Sequence, residues 1–241
     1  MNTNGDQKSI ETRILVVDDD ETVQILVQRT LGSSSVHVLS ALNGIDAVRM
    51  AQEENPDLII LDVCMPLMDG KEVIKELRRN RQTQMIPVMM LTGNGMLVDK
   101  IVGFELGADD YVTKPFSPKV LLARIKAVAR RLASKQTSEE TREIGGLKID
   151  TAKHKITYQN QLIELTTIEF NILEFLSRHP GRVFNRDQIM DRVWKEGRFI
   201  IDRAVDVHIR GLRKKMGKAA ELIETVRGAG YRFKDLEDIH E

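Results

Sequence analysis

Cys64 is the only cysteine in the chain, which excludes an intramolecular disulfide framework and any cysteine-rich zinc cluster. Long apolar runs are missing too: none approaches the roughly 20 residues that a bilayer span requires. The start, Met1 to Glu11, is polar and lacks the apolar core of a secretory signal, so a soluble cytoplasmic protein with no membrane partner is expected. Net charge is also absent. The 36 basic residues balance 36 acidic ones, and taken whole that argues against nucleic-acid binding. The balance is uneven along the chain, however, for Arg203 to Lys218 holds six basic residues against only Asp206. What is present, 41% hydrophobic and 30% charged residues over 241 positions, fits one large domain or two ordinary ones and argues against disorder throughout.

From Arg13 to about Ala133, short apolar runs alternate with helical patterns. RILVV, VHVLSA, DLIILDV, IPVMML and DYVT read as five strands. Little alternation within each run means burial on both faces, and strand-helix repetition implies a parallel sheet with helices on each side, a doubly wound α/β domain over residues 12–133. Residues 134–142 (SKQTSEETR) contain no apolar side chain and read as a linker. A second domain follows over 143–238. There LKID, HKITY and LIEL read as short strands, and Thr166 with Glu169 forms a capping box opening a helix. Asn185 with Gln188 repeats that logic. A third helical pattern covers Arg203 to Met216, and TVRGAGYRF reads as two strands around a glycine turn. Helices followed by a terminal hairpin suggest an α+β winged helix-turn-helix.

In a doubly wound sheet, ligands bind beyond the carboxyl ends of the strands. Strand one ends in Asp18, Asp19 and Asp20, strand three in Asp62 and strand four in Thr92, while strand five runs into Lys114 and Pro115. Clustered carboxylates repel unless a cation intervenes, and hard oxygen ligands at an open site suit Mg²⁺ with a phosphoryl group. Lys114 supplies charge for phosphate, and the Thr92 hydroxyl supplies a donor. Taken singly, Asp18 to Asp20 also reads as a turn with Asp20 as helix cap, and Tyr111 as a half-buried strand residue. A haloacid-dehalogenase-like phosphatase needs a second Asp where this chain has Cys64, and a dinucleotide enzyme needs a glycine fingerprint where it has DDDE, so neither fits.

The motifs DDD at 18–20, LDVCMPLMDG at 61–70, LTG at 91–93 and GADDYVTKPF at 107–116 resemble those of the response-regulator receiver domain. The resemblance implies a CheY-like sheet of order 2-1-3-4-5, with Asp62 as phosphoacceptor. Asp18 and Asp19, with Asp62 and the Cys64 backbone carbonyl, would hold Mg²⁺. Thr92 and Lys114 would contact the phosphoryl group, Tyr111 would be the switch residue, and the Lys114-Pro115 bond is cis in that family. It further implies a homodimer, formed on phosphorylation through the fourth helix, fifth strand and fifth helix by exposed ion pairs drawn from Lys100, Glu105, Asp109, Asp110, Arg124, Lys126 and Arg131. Val120 stands where the family usually places the acidic partner of Lys100.

On a helical wheel, Val205, Ile209, Leu212 and Met216 share a core face of the last helix, while Arg203, Val207, Arg210 and Lys214 share the opposite one. Cations around an exposed valine suit a major groove, and Arg227 beside Gly228-Ala229-Gly230 suits a wing entering a minor groove; the alternative is a solvated basic face. LTTIEFNILEFL, GRVFNRDQIMDRVW, VDVHIRGLRKKMG and TVRGAGYRF resemble the OmpR/PhoB-type winged-helix DNA-binding domain. By that resemblance Arg203, Val207, His208, Arg210 and Arg213 belong to the recognition helix with Lys214 beside them. Trp194 and Thr225 touch the DNA backbone, although Trp194 equally reads as a core anchor. Gly211 departs from the commoner arginine and is expected at the rim of the DNA-facing surface. The whole chain then reads as a transcription regulator and not an enzyme: a sensor histidine kinase phosphorylates Asp62, the receiver dimerises, and the pair binds promoter DNA, with RNA polymerase as a further partner. Binding DNA without phosphorylation is the alternative.

Overall fold

The computed structural model describes residues 12–32, 36–93, 97–133, 141–194, 203–235 and 237–239. The first domain places β1 (Thr12–Val17), α1 (Glu21–Leu31), β2 (Val36–Ala41), α2 (Gly44–Glu54), β3 (Leu58–Asp62), α3 (Gly70–Arg79), β4 (Val88–Thr92), α4 (Leu97–Leu106), β5 (Asp110–Thr113) and α5 (Pro118–Ala133) in strict alternation. Its sheet is parallel, in the order β2-β1-β3-β4-β5. Burial alternates by face as the pleat requires. Ile14, Val16, Leu58, Ile60, Met89 and Leu91 pack on the side that holds Val27, Leu121 and Ile125. Leu15, Val17, Ile59, Leu61, Val88 and Met90 pack on the side that holds Ala47, Val73 and Phe104.

Local chemistry sets the helix starts. Asp20, Asn43 and Asp69 each cap a helix by accepting a backbone N–H from Thr22, Asp46 and Glu72. Gly70 is required by close packing, since a β-carbon there would collide with the Asp62 carbonyl. The chain therefore turns back tightly behind the end of β3.

The second domain opens with an antiparallel sheet of β6 (Thr141–Ile144), β7 (Leu147–Asp150), β8 (Lys155–Tyr158) and β9 (Gln161–Ile163). Thr141 and Arg142, expected in the linker, begin this sheet; β6 is a charged edge strand paired to β7 and has only Ile144 buried. Three helices follow, α6 (Thr167–Ser177), α7 (Arg186–Trp194) and α8 (Arg203–Met216), then the hairpin β10 (Ile223–Val226) and β11 (Gly230–Phe233). The Thr166/Glu169 capping box forms as expected. Asn185 and Gln188 likewise exchange backbone-to-side-chain bonds of 2.9 and 2.8 Å. One apolar cluster joins the two domains: Phe104 and Tyr111 of the first belong with Trp194, Val205 and Ile209 of the second.

Candidate functional site

The parallel order brings the ends of β1, β3, β4 and β5 to one edge. Ligand oxygens of Asp18, Asp19 and Asp62 lie within 4.8 Å of one another there. Lys114 Nζ enters the cluster, 2.6 Å from Asp18 Oδ2 and 3.1 Å from Asp62 Oδ1. The buried Gln24 donates to the carbonyls of Asp18 (2.8 Å) and Ala41 (2.9 Å), fixing the end of β1. Asp62 Oδ1 also accepts the Val63 N–H at 3.0 Å, while Oδ2 has no hydrogen-bond partner among the described residues. Burial raises the Asp62 pKa above its ordinary value, against the lowering effect of the Lys114 hydrogen bond. Burial works the other way on Lys114, but its bonds to Asp18 and Asp62 outweigh that and raise its pKa. Thr92 is buried at the end of β4, and the Lys114-Pro115 bond is cis. Three hard carboxylates with one open face fit a divalent cation such as Mg²⁺.

Tyr111 of β5 is buried beneath α4, its ring edge-on to Phe104 with centroids 4.8 Å apart. Around it the expected exposed ion pairs are corrected. Asp109 and Asp110 are 2% and 3% exposed and Arg124 6%, because these groups are used within the chain. Asp109 Oδ2 accepts from Val88 N (2.8 Å) and pairs with Arg78 (3.1 Å), and Asp110 pairs with Arg124 at 2.5 Å. Glu105 faces Arg210 of α8 at 3.5 Å. Lys126 and Val120 are exposed. The side chains of Lys100, Arg131 and Arg203 lie outside the described residues.

In α8 the core face is as expected, with Val205, Ile209, Leu212 and Met216 all buried. The opposite face is only partly free. Arg210 and Lys214 are exposed and Val207 is half-buried, but His208 is buried. Arg213 is also corrected: its guanidinium donates to the Ile223 carbonyl (2.7 Å) and to the Thr225 hydroxyl (2.9 Å), tying α8 to the hairpin. Arg227 stands exposed at the hairpin tip beside Gly228. Trp194 is a core anchor, buried with its indole N–H donating 2.9 Å to the Asp109 carbonyl.

Residues 14–126 match the model of the response regulator receiver domain, and residues 159–233 that of the transcriptional regulatory protein C-terminal domain. The phosphate regulon transcriptional regulatory protein PhoB of Escherichia coli is 44% identical over 223 residues, covering 92% of this chain and 97% of that protein. The chain belongs to the OmpR/PhoB family of response regulators. Another relative, the alkaline phosphatase synthesis transcriptional regulatory protein PhoP of Bacillus subtilis, is 42% identical and covers 92% of this chain and 97% of its own. A solved mutant of RitR superposes with a TM-score of 0.75 at 28% identity, covering 93% of this chain and 99% of that one. As an OmpR/PhoB member the chain is a phosphorylatable, DNA-binding transcription regulator and not a classical enzyme. No helix among the described residues is long and apolar enough to cross a membrane.

Two details of this OmpR/PhoB chain were hidden in its sequence. Gly211 does not sit at a DNA-facing rim: a β-carbon there would lie 2.8 Å from Glu169 Oε1. Glu169 cannot easily give way, because it is buried, accepts from Thr166 N (2.7 Å) and takes Lys215 Nζ at 2.6 Å. Glycine there permits close packing of α8 on the start of α6. Gly211→Ala is therefore expected to lose the roughly 1 kcal/mol of helix propensity it would otherwise gain. In a Glu169→Ala background the same change should stabilise by about that amount, read from urea unfolding.

His208 is buried in α8 with a strongly displaced pKa. Burial, then Lys215 and Arg78, push it down from 6.5 to about 3. A histidine kept neutral inside binds fewer protons folded than unfolded, so its contribution is complete above pH 6.5 and is lost as pH falls from there towards 3. At pH 5 the loss is about 2 kcal/mol. His208→Leu should lose less stability than the parent between pH 7 and 5, and equal losses in the two urea titrations would contradict this.

Proposed function

We propose that Asp62 is the phosphoacceptor and that Asp18, Asp19, Asp62 and the Cys64 carbonyl hold Mg²⁺. The observation carrying this is the meeting of three carboxylates with Lys114 at one sheet edge, with Asp62 Oδ2 unengaged among the described residues. When bound, the ion neutralises the carboxylates so that an anionic donor can approach. Asp62 then attacks the phosphorus of a kinase phosphohistidine: an oxygen–phosphorus bond forms, the nitrogen–phosphorus bond breaks, and the leaving imidazole nitrogen takes up a proton. Lys114 must exchange part of its carboxylate contact for the new phosphoryl oxygens, and Thr92 donates its hydroxyl to one of them.

On this reading the phosphorylated receiver pairs with a second copy through α4, β5 and α5. Arg203, Val207, Arg210 and Lys214 of α8 read promoter DNA, helped by Arg227 in the wing, and RNA polymerase is a further partner. Glu105, Asp109, Asp110 and Arg124 enter the dimer only by exchanging their present partners, with Lys100, Lys126 and Arg131 completing the set. Val120→Glu supplies an acid opposite Lys100 and is expected to tighten the beryllofluoride-activated dimer by up to about 30-fold, since the pair forms twice in a symmetric dimer and exposed pairs are worth about 0 to 1 kcal/mol each. Analytical ultracentrifugation measures this. A dimer constant that is unchanged or weaker counts against the interface. Duplex affinity that falls steeply with salt supports the cationic assignment of α8, and a flat dependence contradicts it.

A further inference from the structure

The Asp18 carboxylate is already engaged within the chain, its Oδ1 by the Asp20 N–H at 3.0 Å and its Oδ2 by Lys114. Asp19 differs. Its carboxylate is exposed at the rim of the pocket and takes part in no hydrogen bond or ion pair among the described residues, so only the backbone behind it sets its aim. The peptide unit joining Asp18 to Asp19 is a rigid plane that carries the Asp18 carbonyl oxygen together with the α-carbons of both residues. Whatever holds that oxygen therefore sets the bearing of the two acids at once.

Gln24 of α1 holds it. The Nε2 amide has two hydrogens and both are used, one on the Asp18 carbonyl at 2.8 Å and the other on the Ala41 carbonyl at 2.9 Å. The Ala41 carbonyl also accepts the Asp18 N–H at 3.2 Å. Both backbone polar groups of residue 18 are thus tied to one point at the end of β2, the N–H directly and the carbonyl through Gln24. Gln24 lies on the buried side of α1 with Val27 and Leu31, where an apolar side chain would serve packing better. Burying an amide there carries a desolvation cost that its two bonds offset. What the amide adds is direction.

We propose that Gln24 is a positioning residue for the divalent ion: by pinning the Asp18 carbonyl to the end of β2, it aims the Asp19 carboxylate at the point where Asp18 and Asp62 converge. It acts through the Asp18-Asp19 peptide and does not touch the ion. The proposal rests on the reading of Asp18, Asp19 and Asp62 as the ion site. Asp62 and Thr92 end β3 and β4, and Lys114 follows β5, so loss of Gln24 should loosen the ion and spare phosphoryl transfer once the ion is bound.

Two measurements on the full-length chain separate these effects. Isothermal titration calorimetry gives Mg²⁺ affinity without phosphorylation, and intact mass follows the rate of phosphorylation by acetyl phosphate over a series of Mg²⁺ concentrations. Gln24→Met keeps the volume and removes both donors. Loss of a group that orients a metal ligand typically costs about 10- to 100-fold in affinity, and Asp19 is one ligand among several, so the lower end is expected. Mg²⁺ should bind about tenfold more weakly and its half-saturating concentration rise by the same factor, with the saturating rate within about twofold of the parent. Gln24→Asn keeps the amide but is one methylene too short to span both carbonyls. It should weaken Mg²⁺ by about threefold, and it decides the matter if Gln24→Met loses its circular dichroism. A residue that only stabilises the fold would lower the urea midpoint and leave both ion readouts unmoved. That result in the deciding variant overturns the proposal, as does a saturating rate that falls in step with the affinity. Asp19→Asn tests the reading beneath it: Mg²⁺ held as tightly as by the parent removes the ion from this acid, and the proposal goes with it. An ion weakened in Asp19→Asn but unaffected in the deciding Gln24 variant overturns the positioning role alone.

Discussion

Asp62→Asn is expected to leave the chain without any phosphoryl adduct after treatment with acetyl phosphate and Mg²⁺, where the parent gains one. Among the described residues, Asp62 alone offers a carboxylate oxygen beside Lys114 that is free of other bonds: Asp18 Oδ1 accepts from Asp20 N, its Oδ2 takes Lys114, and Asp19 lies at the exposed rim. An amide of nearly the same shape keeps the pocket but removes the nucleophile, so the expected loss is complete. Intact-mass spectrometry gives the answer, and an adduct of undiminished yield on the variant would place the chemistry elsewhere. Lys114→Ala is a graded companion. Three carboxylates left without their internal cation should hold a divalent ion more tightly at rest while accepting phosphoryl more slowly, a split that a merely structural lysine would not produce.

Arg124→Ala should be the most destabilising single change on the face formed by α4, β5 and α5. It leaves the Asp110 carboxylate buried with the Tyr111 N–H, at 2.7 Å, as its hydrogen-bond partner among the described residues. Breaking a buried pair from one side costs about 3 to 5 kcal/mol, whereas replacing both partners with apolar groups of similar volume is often close to neutral. Arg124→Ala should therefore lower the urea midpoint sharply, and Asp110→Leu with Arg124→Met much less. If the double variant is as unstable as the single one, the pair stabilises through packing and not charge. A weakened dimer in Arg124→Ala consequently says little about intermolecular pairing, and exposed Val120 and Lys126 are the better probes.

The receiver was legible because its signals are local. Five apolar runs separated by helical patterns give a doubly wound parallel sheet, the family resemblance supplies its order, and the functional side chains stand directly at strand ends, so that order converts sequence positions into a pocket. The caps at Asp20, Thr166 and Asn185 were readable for the same reason, since each involves partners two or three residues away. Contacts between residues far apart in the sequence left no such trace. Asp109 and Asp110 have the sequence appearance of surface acids, and only the fold shows that Arg78, 31 residues upstream of Asp109, and Arg124 neutralise them. Gly211 misled for a related reason: a wheel gives the azimuth of a helical residue but not which neighbour crosses there, and Glu169 of α6 crosses at that point. Arg213 reads as one more cation of a basic stripe until the hairpin comes to meet it. Gln24 gave no signal at all, being a single amide on an amphipathic helix, yet it pins the strand end that carries the acidic pair.

The lysine bridging Asp18 and Asp62 has a consequence for which ions the pocket accepts. Three carboxylates and one ammonium leave two negative charges uncompensated, the amount that one divalent ion cancels. A monovalent ion leaves the mouth repulsive to an incoming phosphoryl dianion, and a trivalent one makes the pocket a trap from which the ion does not readily leave. On the proposed reading of the pocket as a cation site, the charges of Asp18, Asp19, Asp62 and Lys114 by themselves favour a divalent ion.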